Sequence, residues 1–250
     1  MKDNIYASVA LFPTCKETLD KYKEQEQGIS ATYCTQVTGI STNIKTKFNQ
    51  NCPKADFYLN EIYKSSHSND ELKRAACIYI YYWIYNDILK DTGNDIEIQN
   101  LYNGFLEAHH KPGDLNFKDF VDIKITKNEL KKLKDIYEID TEIKNMDKDK
   151  CACAKKLYNF YIQQEDECKH KSNNDFCDEL ENIRDRYNAQ MINTNCPDGT
   201  PQLLPSFHPL NITKLIITTI VIIIVISIFI IILYKNYQVI FRGIGNIIYY

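Results

Sequence analysis

The residues of this 250-residue chain best suited to covalent or metal chemistry are its nine cysteines. All of them precede an apolar segment near the C-terminus, and they are Cys15, Cys34, Cys52, Cys77, Cys151, Cys153, Cys168, Cys177 and Cys196. So many cysteines on one side of such a segment are typical of a domain that is cross-linked by disulfides in an oxidising compartment. Because nine is an odd number, we expect at least one free thiol.

A metal site is the alternative use of these cysteines. Cys151-x-Cys153 and Cys168-x-His170 supply four potential ligands. Each pair is separated by one residue, whereas paired zinc ligands are usually separated by two to four residues. The spacing therefore favours disulfides, and we predict neither a metal nor another cofactor.

The remaining polar residues do not form a catalytic pattern. The sequence contains no Gly-rich phosphate loop, no HExxH and no GxSxG, and the adjacent His109 and His110 are typical of a helix end at the surface. The acidic run of Glu165, Asp166 and Glu167 is typical of a solvated helix face. We therefore predict that the protein is not an enzyme and has no small-molecule substrate. A net charge of -3 without a basic block also argues against nucleic acid as a partner.

The apolar segment consists of the residues from Leu215 to Tyr234, all uncharged and rich in Ile, with Lys214 and Lys235 on either side. A helix of about 20 residues spans about 30 Å, the thickness of the hydrocarbon core of a bilayer. This pattern predicts one transmembrane helix, residues 215–234, with the lipid bilayer as a partner. Residues 235–250 are then a short tail, whose two basic residues favour the cytoplasmic side.

Prolines mark the connection to this helix. Pro197, Pro201, Pro205 and Pro209 recur every four residues, which is incompatible with an α-helix and favours an extended chain. The pattern predicts a helical domain over residues 1–196 and an extended stalk over residues 197–214.

Apolar residues within the domain recur at helical spacing, and no segment shows sustained two-residue alternation, so the predicted fold is an all-α bundle. Pro53 is expected in the first turn of one helix, and Thr126 with Glu129 has the spacing of a capping box. The residues from Ala75 to Tyr85 are apolar on every face and predict the central, buried helix.

Hairpin geometry suggests which cysteines pair. The residues around HKSNN connect two helices too tightly for anything but an antiparallel hairpin, which sets Cys168 opposite Cys177. The same register places Cys196 within reach of either Cys151 or Cys153. The four N-terminal cysteines are expected to pair among themselves in an order that the sequence leaves open.

Three stretches resemble the Plasmodium interspersed repeat superfamily, and within it the variant proteins called VIR. They are YYWIYNDIL, then CACAKKLYNFYIQQEDEC followed by NDFCDELENIRDRYN, and finally CPDGTPQLLP ahead of the Ile-rich segment. The resemblance implies a single-pass membrane protein that the parasite exports to the infected red cell, at its surface or in associated internal membranes. It also implies a variant antigen engaged in adhesion or immune evasion through an unknown host protein or receptor. The tail is poorer in basic residues than that family's tails usually are.

A different class of protein fits part of the same pattern. The N-terminal residues contain no apolar run of signal-peptide length. One apolar segment near the C-terminus is then also the architecture of a tail-anchored cytosolic tether or adaptor at an internal membrane. Such a tether would keep its cysteines reduced, so the state of the cysteines discriminates between the two interpretations.

Overall fold

The computed structural model describes residues 4–23, 33–66, 69–109, 117–146, 149–170, 174–197, 199, 201–207 and 219–234. All regular secondary structure in these ranges is helical, which confirms the predicted all-α fold. The chain divides into two units, Met1–Pro205 and Ser206–Tyr250, and each is described by itself.

Helices make up the regular structure of the described part of the first unit. Their bounds are α1 Phe12–Asp20, α2 Lys45–Ser66, α3 Asp70–Trp83, α4 Asp95–His109, α5 Lys127–Lys144, α6 Lys150–Gln163, α7 Glu165–His170 and α8 Asp175–Met191, with 3-10 turns at Tyr6–Leu11 and Lys118–Phe120.

Helix α3 is the centre of this bundle. Every residue from Ala75 to Tyr85 is buried, and α3 contacts α1, α2, α4 and α5. The prediction of a central buried helix is confirmed, because a helix that is apolar on all faces must be covered on all faces. The helix continues as a π-helical segment, Ile84–Ile88, and the chain then turns through Lys90 and Asp91, both with positive φ.

Helix α2 begins at Lys45, well before Pro53, so the prediction that Pro53 lies in the first turn is wrong. Proline inside a helix removes one backbone hydrogen bond and is usually unfavourable. Here Phe48 and Cys52 extend the buried stripe of α2 upstream of the proline, and their burial offsets that loss. Gly104 of α4 allows close packing at this point, since a Cβ there would meet the ring of Phe48 at 2.9 Å.

Side-chain caps fix where several helices begin. The capping box predicted at the start of α5 is confirmed: Glu129 donates its N–H to the Thr126 hydroxyl at 3.3 Å, and the Glu129 carboxylate accepts from the Thr126 N–H at 2.9 Å. Asn69, Asp149 and Asn174 cap α3, α6 and α8 in the simpler way, each accepting one backbone N–H. Each cap satisfies a backbone donor that has no partner within its own helix.

The chain after α8 packs back onto the bundle through residues 201–205, which we call the strap. The Tyr187 hydroxyl donates to the carbonyl of Pro201 at 2.7 Å, and the Leu204 N–H donates to the Asn188 side chain at 2.8 Å. The structure thus differs from the predicted stalk, which begins at residue 197. The prolines exclude a helix as expected. The segment docks because the carbonyls of Pro201 and Pro205 accept hydrogen bonds from tyrosine hydroxyls and because Leu204 is buried.

In the second unit, residues 219–234 form a helix whose side chains are all exposed. Residues 215–218, the first part of the predicted membrane span, and the predicted tail, residues 235–250, lie outside the described residues. No helix in the described part of the chain combines the length and the apolar character required to cross a membrane. The span from Leu215 to Tyr234 therefore stays a prediction.

Candidate functional site

The most distinctive chemistry of the first unit is its set of disulfides. All nine cysteines lie in the described ranges, and six of them form the pairs Cys34–Cys52, Cys151–Cys196 and Cys168–Cys177. Each pair has its Cα atoms between 5.4 and 5.9 Å apart, a normal separation for a disulfide. Cross-links of this kind are typical of domains that fold in an oxidising compartment.

Two of these bonds lie in the C-terminal hairpin, where α7 and α8 place Cys168 opposite Cys177. Of the two partners that the sequence left open for Cys196, the structure has Cys151, at the start of α6. The other candidate, Cys153, is a free thiol. It lies two residues further along the same helical turn, so it points away from Cys151 and towards α5, where its thiol lies 3.6 Å from the carbonyl of Glu142.

Cys153 lies in a shallow surface depression between α5 and α6, lined also by Glu142, Asn145, Asp149 and Lys156. Partial burial and the carboxylates of Glu142 and Asp149 raise the pKa of the Cys153 thiol above its ordinary value, although Lys156 acts in the opposite direction. Thiolate is the reactive form of cysteine, so a raised pKa does not favour a role as nucleophile.

The prediction that all four N-terminal cysteines pair with one another is wrong for Cys15 and Cys77. Only Cys34 and Cys52 are joined, and the other two are buried free thiols. Each lies inside the helical core and is fully buried. Burial raises the pKa of Cys15 to about 11 and that of Cys77 to about 12, so both thiols stay protonated at neutral pH.

A buried ionisable pair, not anticipated from the sequence, joins α2 to α4. Asp56 and His109 are both almost fully buried, and the Asp56 carboxylate lies 2.9 Å from Nδ1 of His109. Both residues fall on the apolar stripes of their helices, which is the signal that could have indicated them. The ring of Phe117 packs edge-on against the imidazole at 5.5 Å, so the pair is enclosed and holds the two helices together. His110 lies outside the described residues.

Two of the three acidic residues Glu165, Asp166 and Glu167 form ion pairs with lysines. In α7, Glu165 pairs with Lys169 and Glu167 pairs with Lys132 of α5, while Asp166 is exposed. Within the described ranges, no three His, Cys, Asp or Glu side chains are grouped as ligands of a metal ion.

The helix over residues 219–234 is a candidate interaction surface, separate from the disulfides of the first unit. Its large apolar side chains are between 50 and 64% exposed, from Ile220 and Ile232 at the lower end to Phe229 at the upper end. Contiguous exposed apolar surface is typical of regions that contact a protein or a membrane.

No protein-family model, no curated protein and no solved structure matches the chain.

Proposed function

We propose that the protein is a non-enzymatic, single-pass membrane protein that displays its disulfide-bonded helical domain to host molecules. The observation that carries the proposal is the uncharged, Ile-rich run from Leu215 to Tyr234, of which residues 219–234 form a helix that is apolar on every face. An isolated helix of this kind is unfavourable in water and favourable in lipid.

The energetics of the run support a bilayer as its environment. On insertion scales each central Ile, Val, Leu or Phe contributes about 0.3–0.6 kcal/mol in favour of the membrane. The run contains no charged residue that would oppose this by the 2.5–3.5 kcal/mol or so that a central Lys, Arg or Asp costs. The sum favours insertion by several kcal/mol.

The disulfides favour display over a cytosolic tether. A tether in reducing cytosol keeps its thiols free, whereas the Cys34–Cys52, Cys151–Cys196 and Cys168–Cys177 pairs have normal disulfide geometry. The resemblance to the VIR proteins supports the same class. It adds the more specific proposal of a variant antigen exported to the infected red cell, at its surface or in associated internal membranes, for adhesion or immune evasion.

Extraction of membranes at alkaline pH tests the anchor. The full-length protein is expected to stay in the membrane pellet, and the double variant Ile224→Asp with Ile228→Asp to move to the supernatant. Ile96→Asp is the matched control, because Ile96 is exposed in the first unit and should leave the protein in the pellet. Release of the unmodified protein would contradict the proposal.

Protease treatment of intact infected cells tests the display. Digestion of the helical domain without lysis supports exposure at the cell surface. Digestion that requires rupture of the red cell but not of inner membranes indicates a domain that faces the host cytosol from an internal membrane and would contradict display at the cell surface.

A further inference from the structure

The Cys151–Cys196 disulfide lies in the chain shortly before the strap. The strap follows Cys196 after a turn in which the Gly199 N–H bonds the carbonyl of Cys196 at 3.3 Å. Gly199 has a φ of +74°, a conformation that glycine adopts without strain. This turn directs residues 201–205 back along α8, so the disulfide fixes the point at which the strap begins.

Hydrogen bonds then hold the strap along its length. The Tyr187 hydroxyl bonds the carbonyl of Pro201, the Asn188 side chain bonds both the N–H and the carbonyl of Leu204, and the Tyr161 hydroxyl bonds the carbonyl of Pro205 at 2.8 Å. Leu204 is the one apolar side chain of the strap that is buried, whereas Leu203 is 59% exposed. Because only a few polar contacts and one buried side chain hold the strap, its docking depends on both of its ends being kept close to the helices.

The three disulfides differ in how well a reductant can approach them. Cys168, Cys177, Cys34, Cys52 and Cys196 are all buried, but Cys151 is partly exposed. Cys151 belongs to the first turn of α6, at the surface of the bundle. The Cys151–Cys196 bond is therefore the most accessible of the three to thiol–disulfide exchange, which requires direct approach of a thiolate to sulfur.

We propose that the Cys151–Cys196 disulfide is a redox-sensitive latch that keeps the strap closed. A dithiol reductant attacks one sulfur of the bond, and its second thiol resolves the mixed disulfide. The protein gains two thiols, at Cys151 and Cys196, and the reductant leaves as its own disulfide. Without the cross-link at Cys196, docking of the strap closes a longer loop. The conformational entropy cost of docking therefore rises, and the docked state becomes less stable.

Opening uncovers the face of α6 and α8 that carries the Tyr161 and Tyr187 hydroxyls and the site of Leu204. The inference concerns the first unit only and does not depend on the proposed membrane anchor.

Amide hydrogen exchange of Leu204 in the full-length protein tests the latch, because this N–H is bonded only when the strap is docked. In the Cys151→Ser, Cys196→Ser double variant we expect its exchange to be at least tenfold faster. The matched control is Cys168→Ser with Cys177→Ser, which removes the other disulfide of the hairpin and should change the rate less than threefold. Unchanged exchange in the first variant would overturn the proposal.

Graded reduction of the unmodified protein provides a second measurement that does not depend on the variants folding. With increasing dithiothreitol, peptide mapping should find Cys151 and Cys196 reduced first. The exchange rate of the Leu204 N–H should rise in proportion to the fraction of molecules in which this disulfide is reduced. If the exchange of Leu204 never exceeds that of Ile80 in the centre of α3, the strap opens only when the whole unit unfolds, and the disulfide is not a latch.

Discussion

The central bundle and the C-terminal hairpin of the first unit are held together in different ways. Every residue from Ala75 in α3 to Tyr85 in the π-helical segment is buried, whereas α6 buries only Ala154, Leu157 and Tyr161. The hairpin of α6, α7 and α8 carries two of the three disulfides. The bundle, in contrast, leaves Cys15 and Cys77 as free thiols in its core.

This difference indicates that two of the three disulfides stabilise the part of the unit that buries fewer side chains, while the third, Cys34–Cys52, joins the chain before α2 to a buried position of α2. A helix that buries one stripe gains less from the hydrophobic effect than one that is covered on all sides. A disulfide restricts the unfolded chain and stabilises the hairpin without requiring further apolar contacts. The two regions should therefore respond differently to loss of apolar side chains and to loss of disulfides.

The largest effect is expected from a cavity in the bundle. Ile98→Ala should lower the free energy of unfolding by about 2–5 kcal/mol, because Ile98 of α4 is fully buried and its removal leaves a cavity. Ile96→Ala is the matched control, since Ile96 lies in the same helix and is 77% exposed. Denaturant unfolding measures both, and equal effects would contradict the assigned burial.

The next largest effect is expected from the disulfides of the hairpin. Replacing Cys151 and Cys196 by Ser should lower the free energy of unfolding by about 4 kcal/mol, and replacing Cys168 and Cys177 by Ser by about 3 kcal/mol. The order follows from sequence separations of 45 and 9 residues, because the longer loop loses more entropy when it is closed. The reverse order in denaturant unfolding would show that the loop argument fails here.

A smaller effect is expected at the start of α5. Thr126→Ala removes the capping box and should lower the free energy of unfolding by about 1 kcal/mol. Thr141→Ala is the control, because the Thr141 hydroxyl bonds the carbonyl of Tyr137 inside the helix and caps nothing. A loss at Thr126 no larger than that at Thr141 would contradict the role of the cap.

The free thiols of the two regions should differ in reactivity with pH. Cys153 of the hairpin is half-buried, and the raised pKa of its thiol should move the midpoint of its alkylation above that of an ordinary cysteine. Cys15 and Cys77, with pKa values raised to about 11 and about 12 by burial, should stay unreacted until the protein unfolds. Iodoacetamide rates across pH 7–10 measure this, with Cys153→Ser as control, and fast labelling of Cys77 in the native protein would be inconsistent with its burial.

Periodic patterns in the sequence were sufficient to predict the all-α fold, the buried centre of α3 and the cap at Thr126. These features depend on neighbours within one helix, so the information is local. Pro53 misled the prediction because the burial of Phe48 upstream is a tertiary effect that outweighs a local preference.

The cysteine pairings also differ in whether local or tertiary information determines them. Cys168 and Cys177 flank a short hairpin turn, so their proximity can be deduced from the spacing. Whether Cys15 and Cys77 pair depends on how α1 and α3 pack, which no local pattern encodes. The docking of the strap, through Tyr187 and Asn188, is likewise a tertiary contact.

The number of free thiols in the native, membrane-bound protein tests the central claim most directly. Alkylation of isolated membranes without reductant, denaturation and a second alkylation, followed by non-reducing peptide mapping, should identify three linked pairs and three thiols, at Cys15, Cys77 and Cys153. That result is predicted for a displayed domain with an oxidising history. Nine alkylated cysteines and no linked peptides would contradict display and indicate a cytosolic tether.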